Sequence, residues 1–115
     1  MTIDLIREIC LLLPAVTEDI KWETHLCFNV GGKMFLITSP DEVPVNATFK
    51  VPEESFEELL DRDGFKIASH LGRYHWIEVT DISKLSAKEW RFFINQSYKL
   101  VLDKLPVKAR KSLGV

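Results

Sequence analysis

A chain of 115 residues, 46% hydrophobic and 28% charged, is long enough to bury one core and too short to divide into two domains. Its formal net charge of −2 lacks the basic excess that marks a dedicated nucleic-acid binder. No apolar run approaches the ~20 residues that span a bilayer, and Met1-Thr2-Ile3-Asp4 has neither the basic stretch nor the cleavage site of a secretion signal; a cytoplasmic protein without membrane contact is expected.

The first element reads as a helix. Thr2 suits the N-cap and Asp4 the first turn, and Ile6, Ile9, Cys10 and Leu13 recur at helical spacing until Pro14 ends the run. Cys10 and Cys27 form no motif with each other or with a histidine, so both read as reduced, unreactive thiols. Residues 14–24 hold no sustained period and read as a connection with a turn of helix after Thr17, packed onto the core by Trp22.

Two strand-like runs follow, 25–30 and 33–38, separated by Gly31-Gly32. The tight hairpin turn needs positive φ at both central residues, which glycine adopts without a Cβ clash. Leu26, Phe28 and Val30 share one face of the first strand, and the second strand is apolar on both sides, as in an interior strand covered twice. Gly31-Gly32-Lys33 lacks the spacing and the strand-to-helix context of a phosphate loop. Beyond the Pro40 to Pro44 loop, Val45, Ala47, Phe49 and Val51 alternate with polar residues, which predicts a third strand.

Pro52-Glu53-Glu54 opens a helix to about Arg62, with Phe56, Leu59 and Leu60 inward and an acidic outer face that Gly64 terminates. Those carboxylates have the oxygen chemistry of a hard-cation site, but an acidic solvated helix face is the more frequent arrangement. Residues 74–80 predict another strand, with Ile77 and Val79 on the core face and Tyr74, Trp76 and Glu78 opposite. Either a loop or helix covers these two rings, or they lie open as flat contact surface. Gly72 permits a bend or a close backbone approach.

Ser86-Ala87-Lys88-Glu89 matches a capping box, and the helix it opens runs to about Leu105 before Pro106. Trp90, Phe93, Ile94, Ser97, Val101 and Leu105 make its buried stripe; Lys88, Arg91, Phe92, Asn95 and Lys99 fall opposite, on a face able to meet a phosphate backbone or simply to be solvated. The tail Lys108-Ala109-Arg110-Lys111 reads as frayed and free to reach a polyanion nonspecifically. Charge is unevenly distributed along the chain: residues 1–63 carry five basic against thirteen acidic residues, residues 64–115 ten against four. The second half therefore has the means to present a basic face, although folding mixes the halves.

The densest chemistry lies in His70-Leu71-Gly72-Arg73-Tyr74-His75-Trp76, which gathers two imidazoles, a guanidinium, a phenol and an indole. Taken with Leu13-Pro14-Ala15, Trp22, the run from Phe28 to Phe35, Lys50, Ile77 and Ser97-Tyr98-Lys99-Leu100-Val101, this order and spacing resembles the MmcQ/YjbR family of small bacterial proteins over nearly the whole chain. The resemblance implies one α+β domain over 1–115, with an antiparallel sheet of four to five strands and three helices, of the frataxin-like or double-wing type. It also implies DNA binding, and carries the functional surface onto Lys33, Lys50, His70, Arg73, His75 and Trp76.

Three function classes follow. In the first, Lys33, Lys50, Arg73, Lys88, Arg91 and Lys99 neutralise phosphates, with Trp76 or Tyr74 stacking on a base. The acidic residues of 53–61 and the negative total oppose that attraction. In the second, the aromatic strand face binds another protein or a second copy. The third, an enzyme or metal site on His25, His70 and His75, is the weakest: the histidines make no H-x3-H pair, no carboxylates pair persuasively, and no serine sits in a nucleophile elbow. The expectation is a non-enzymatic binding or regulatory protein without metal or cofactor.

Overall fold

A computed structural model describes all 115 residues. Its centre is a six-stranded antiparallel sheet in the order β1-β2-β3-β4-β6-β5, built from β1 (Val16–Lys21), β2 (His25–Val30), β3 (Lys33–Ser39), β4 (Asn46–Lys50), β5 (Phe65–Ile67) and β6 (Trp76–Val79). Four helices accompany it: α1 (Ile3–Leu11), α2 (Glu53–Leu60), α3 (Ala87–Asp103) and α4 (Val107–Leu113). The α+β architecture agrees with expectation, but six strands and four helices replace four to five strands and three helices. The additions are β1, where a connection was expected, the three-residue β5, and α4, where a frayed tail was expected.

Local chemistry accounts for most boundaries. Thr2 Oγ1 accepts from Leu5 N–H at 3.3 Å and starts α1. Both halves of the Ser86 capping box form, Ser86 Oγ accepting from Glu89 N–H at 3.1 Å and Glu89 Oε1 from Ser86 N–H at 3.3 Å. Pro106 and Gly114, the latter at φ 76°, bracket α4.

The β2–β3 turn has φ 58° at Gly31 and 76° at Gly32. A Cβ on Gly31 would lie 2.6 Å from Leu105 Cδ1, whereas one on Gly32 would meet nothing within 4 Å. Gly31→Ala is therefore expected to destabilise more than Gly32→Ala. Both bear the left-handed backbone cost of about 1–2 kcal/mol, and only the first also displaces Leu105. Urea midpoints of the two variants check this.

The core lies between one sheet face and the helices. Ile6 and Cys10 of α1, Phe28 and Val30 of β2, Phe49 of β4, Ile77 and Val79 of β6 and Trp90 and Ile94 of α3 belong to a single buried cluster. A register shift pairs Phe28 with Leu36 but Asn29 with Met34, so Phe35 is the extra residue of a β-bulge. Phe35 and Leu36 both enter the core as a result, each fully buried. Phe49 meets Trp90 edge-on at 5.7 Å and Phe93 at 5.2 Å, and Phe35 meets Tyr98 at 5.4 Å. Each such side chain removed from water contributes about 1.5–3 kcal/mol.

One buried polar group organises the middle of the sheet. Ser97 Oγ on α3 donates to the Phe35 carbonyl at 2.6 Å and accepts from Lys50 N–H at 3.0 Å. The hydroxyl thus joins β3 to β4 where their direct pairing, last recorded at Leu36 with Phe49, has ended. Tyr98 Oη donates to the Pro14 carbonyl at 2.7 Å, fixing the corner between α1 and β1.

For the tryptophans, one expectation is corrected and one choice is resolved. Trp22 does not pack on the core: it is 67% exposed, in the β1–β2 turn. Trp76 lies on the face away from the main cluster yet is only 6% exposed, whereas Tyr74, which belongs to a 3-10 turn and not to β6, stays half exposed. No helix is long and apolar enough to cross a membrane.

Candidate nucleic-acid interface

The nine expected contact residues do not form one patch. Lys88, Arg91 and Lys99 are exposed on the outer side of α3 with Asn95 and the 60%-exposed ring of Phe92, as helical spacing predicts. His70 and Arg73 are exposed in the segment between β5 and β6, Arg73 stacking on Tyr74 at 4.8 Å. His75 is half-buried, edge-on to Phe56 at 5.2 Å, and serves as a left-handed cap at φ 66°. Trp76, buried, is withdrawn from stacking on a base. Lys33 lies at the tip of the β2–β3 hairpin and Lys50 at the end of β4, cross-strand from Trp76.

Lys33 and Lys50 acquire neighbours that the sequence reading missed. Burial first, and then the Lys104 ammonium beside it, hold Lys50 below the usual lysine range. Lys104 caps α3, and one turn later α4 carries Lys108, Arg110 and Lys111. The hairpin bearing Lys33 rests its Gly31 against Leu105, just before α4, and Leu113, the last residue of α4. The Lys33 hairpin, the end of β4 at Lys50 and the α3–α4 segment that carries Lys104, Lys108, Arg110 and Lys111 are therefore neighbouring elements, a basic pole of the backbone.

None of these six is among the ion pairs of the chain, which are Arg7–Glu18, Arg62–Glu89, Lys66–Glu78 and Lys84–Asp63. Arg110 Nε is buried without a hydrogen-bond partner, an orphan donor of the kind an anion satisfies. Two ammonium groups side by side repel, and neither is ion-paired to a carboxylate, so an external anion suits them. A readable signal did exist: Pro106 and Gly114 are helix brackets, and they mark α4 as a folded carrier of cations.

The other candidate chemistries have specific placements. Both thiols are buried. Burial, with a smaller push from Glu18, raises the Cys10 pKa, and burial raises that of Cys27 against the pull of Lys21, so neither supplies a ready thiolate. His25 faces Trp22 edge-on at 5.6 Å and His75 faces Phe56, in separate parts of the fold. No group of three or more histidine, cysteine or carboxylate side chains is placed to hold a metal ion.

Known proteins bear on this arrangement. The YjbR family model matches residues 11–100. An uncharacterised Escherichia coli O157:H7 protein, YbdF, is 31% identical over 85 residues, 73% of this chain and 70% of that protein. Among solved structures, Deinococcus radiodurans protein DR2400, described by the family-model domain DUF419, superposes with a TM-score of 0.89 at 30% identity, covering 99% of this chain and 88% of that one. A Pseudomonas syringae protein shares the fold, with a TM-score of 0.74 at 22% identity over 88% of this chain and 99% of its own. With its matched region spanning both the hairpin and most of α3, the chain belongs to the YjbR family.

Proposed function

We propose that this protein is a non-enzymatic nucleic-acid-binding module whose contact surface is the basic pole of Lys33, Lys50, Lys104, Lys108, Arg110 and Lys111. The observation that carries this reading is the placing of Lys50 beside Lys104, together with an Arg110 Nε that has no hydrogen-bond partner, none of the three being ion-paired to a carboxylate. Such a cluster binds phosphate oxygens without reading base edges, so the expected mode is backbone recognition of low sequence specificity. The outer face of α3 is a secondary contact, because Lys88, Arg91 and Lys99 point away from the core on a separate element. The acidic helix α2 packs on β5 and β6 and opens with Glu53 three residues after Lys50, so its first carboxylates and Asp103 temper the potential at this pole.

Fluorescence anisotropy with labelled duplex and single-stranded oligonucleotides tests the proposal. Binding in the range of about 10⁻⁴–10⁻⁶ M at low salt is expected, weakening steeply as salt rises. The triple variant Lys50→Gln, Lys104→Gln, Arg110→Gln removes three phosphate contacts and is expected to flatten the slope of log K against log [salt] by about 2.7, at about 0.9 per contact. Absence of binding at low salt, or a triple variant with the parent slope, refutes the reading.

A further inference from the structure

The sheet face turned away from the core cluster holds a cleft of about 760 Å3 that the basic pole does not use. Its floor is apolar, from Met34 and Ile37 of β3 and Ala68 beyond β5, and Asn46 and Thr48 of β4 add neutral hydrogen-bonding groups. On one rim stands Trp22, a residue 67% exposed. His70 stands on the rim formed by the segment after β5. The volume falls within the roughly 300–1,000 Å3 typical of small-molecule sites.

The charges lining this cleft have one sign. Glu42 and Glu78 are its only acidic lining residues, and neither lysine nor arginine lines it. Lys66 reaches Glu78 from the sheet edge at 3.7 Å, and Glu42 has no ion-pair partner. Lys21, cross-strand from His25, lies outside the lining. Exposed indole and carboxylates over an apolar floor suit a positively charged group on an apolar body: the ring face and the carboxylates attract the charge, and the floor takes the rest.

Both rims also hold non-glycine residues in left-handed backbone, Trp22 at φ 51° and His70 at φ 66°. Such conformations cost of order 1–3 kcal/mol and persist where the surrounding structure dictates them. In this fold they set an aromatic ring and an imidazole on opposite sides of one opening.

We propose that this cleft binds a small organic cation, an amine with an aromatic or aliphatic body, through Glu42, Glu78 and the Trp22 indole. This is a second binding function, independent of the basic pole, and it places a small-effector site on the sheet face opposite the helices. Anionic ligands, including nucleic-acid phosphates, are disfavoured in it by the same carboxylates.

The test is a two-dimensional amide NMR titration of the full chain at neutral pH with 2-phenylethylamine. Its neutral analogue 2-phenylethanol and the anion 3-phenylpropanoate serve as comparisons. Saturable shifts at Ile37, Thr48, Ala68 and the Trp22 indole N–H are expected, with the amine binding about tenfold more tightly than the alcohol and the anion not saturating. Glu42 is exposed, so Glu42→Gln retains the fold; it is expected to weaken amine binding about fivefold and leave the alcohol unchanged. Equal affinity for the three probes, shifts away from the cleft, no saturable shift at millimolar amine, or an unchanged preference in both Glu42→Gln and Glu78→Gln overturns the proposal.

Discussion

Trp90→Ala is expected to remove most of the stability of the domain. The indole is fully buried at the start of α3, donates through Nε1 to the Ile82 carbonyl at 2.8 Å and packs edge-on against Phe49. Truncating a buried tryptophan costs about 3–5 kcal/mol in lost burial and residual cavity, and stranding a buried carbonyl adds about 1–3 kcal/mol. Against a total of about 5–15 kcal/mol for a typical domain, the variant is expected to unfold at or near ambient conditions. Urea denaturation followed by far-UV circular dichroism measures this. Trp90→Phe, which keeps most of the ring volume but not the N–H, separates the two contributions and is expected to lose less. A midpoint for Trp90→Ala close to that of the parent would contradict the burial and hydrogen bonding assigned to this residue in the core.

Ser97→Ala has the second-largest expected effect, although it deletes a single oxygen. That oxygen satisfies the Phe35 carbonyl and the Lys50 amide together, and Ser97 is fully buried, so water cannot replace it without repacking. Two orphaned backbone groups, at about 1–3 kcal/mol each, are expected to cost about 2–6 kcal/mol in all. The same change releases the end of β4 and with it the placement of Lys50 beside Lys104. Faster amide hydrogen exchange at Lys50 and weaker oligonucleotide binding are therefore expected to accompany the stability loss. A variant with unchanged exchange at Lys50 would mean that the serine bridge does not hold β3 and β4 together at this point.

The parts of the fold legible in the sequence are those where one side of an element is buried and the other is wet. Helix α3 declared itself through the spacing of Trp90, Phe93, Ile94, Ser97 and Val101 and through its capping box, and β4 through the alternation of Ala47 and Phe49 with Thr48 and Lys50. Strand β1 left no such trace because it is an edge strand. Val16 packs on the core, but Ile20 is 59% exposed, so burial imposes no period on Val-Thr-Glu-Asp-Ile-Lys. Strand β5 is too short to carry a pattern. Trp22 misled by its residue type: a large ring usually indicates burial, but here it occupies a strained turn.

The candidate site was legible only in part, for a related reason. Spacing along α3 correctly exposed Lys88, Arg91 and Lys99, because helical geometry alone decides which residues share a face. The grouping of Lys50 with Lys104, and of the Lys33 hairpin with α4, depends on the packing of Gly31 against Leu105 and Leu113, which joins segments more than 70 positions apart. No local pattern encodes that contact. The burial of Trp76 likewise depends on tertiary cover over a face that alternation marks as outward.

The most direct test of the basic pole is a map of backbone amide shifts as the full chain is titrated with a short DNA duplex at low salt. The account predicts that the perturbed amides cluster at Gly31, Gly32 and Lys33, at Lys50 and Lys104, and along residues 107–111, and that they recover as salt is added. Perturbations confined to the outer face of α3 or to the cleft between Trp22 and His70, or shifts that persist unchanged in high salt, would contradict it.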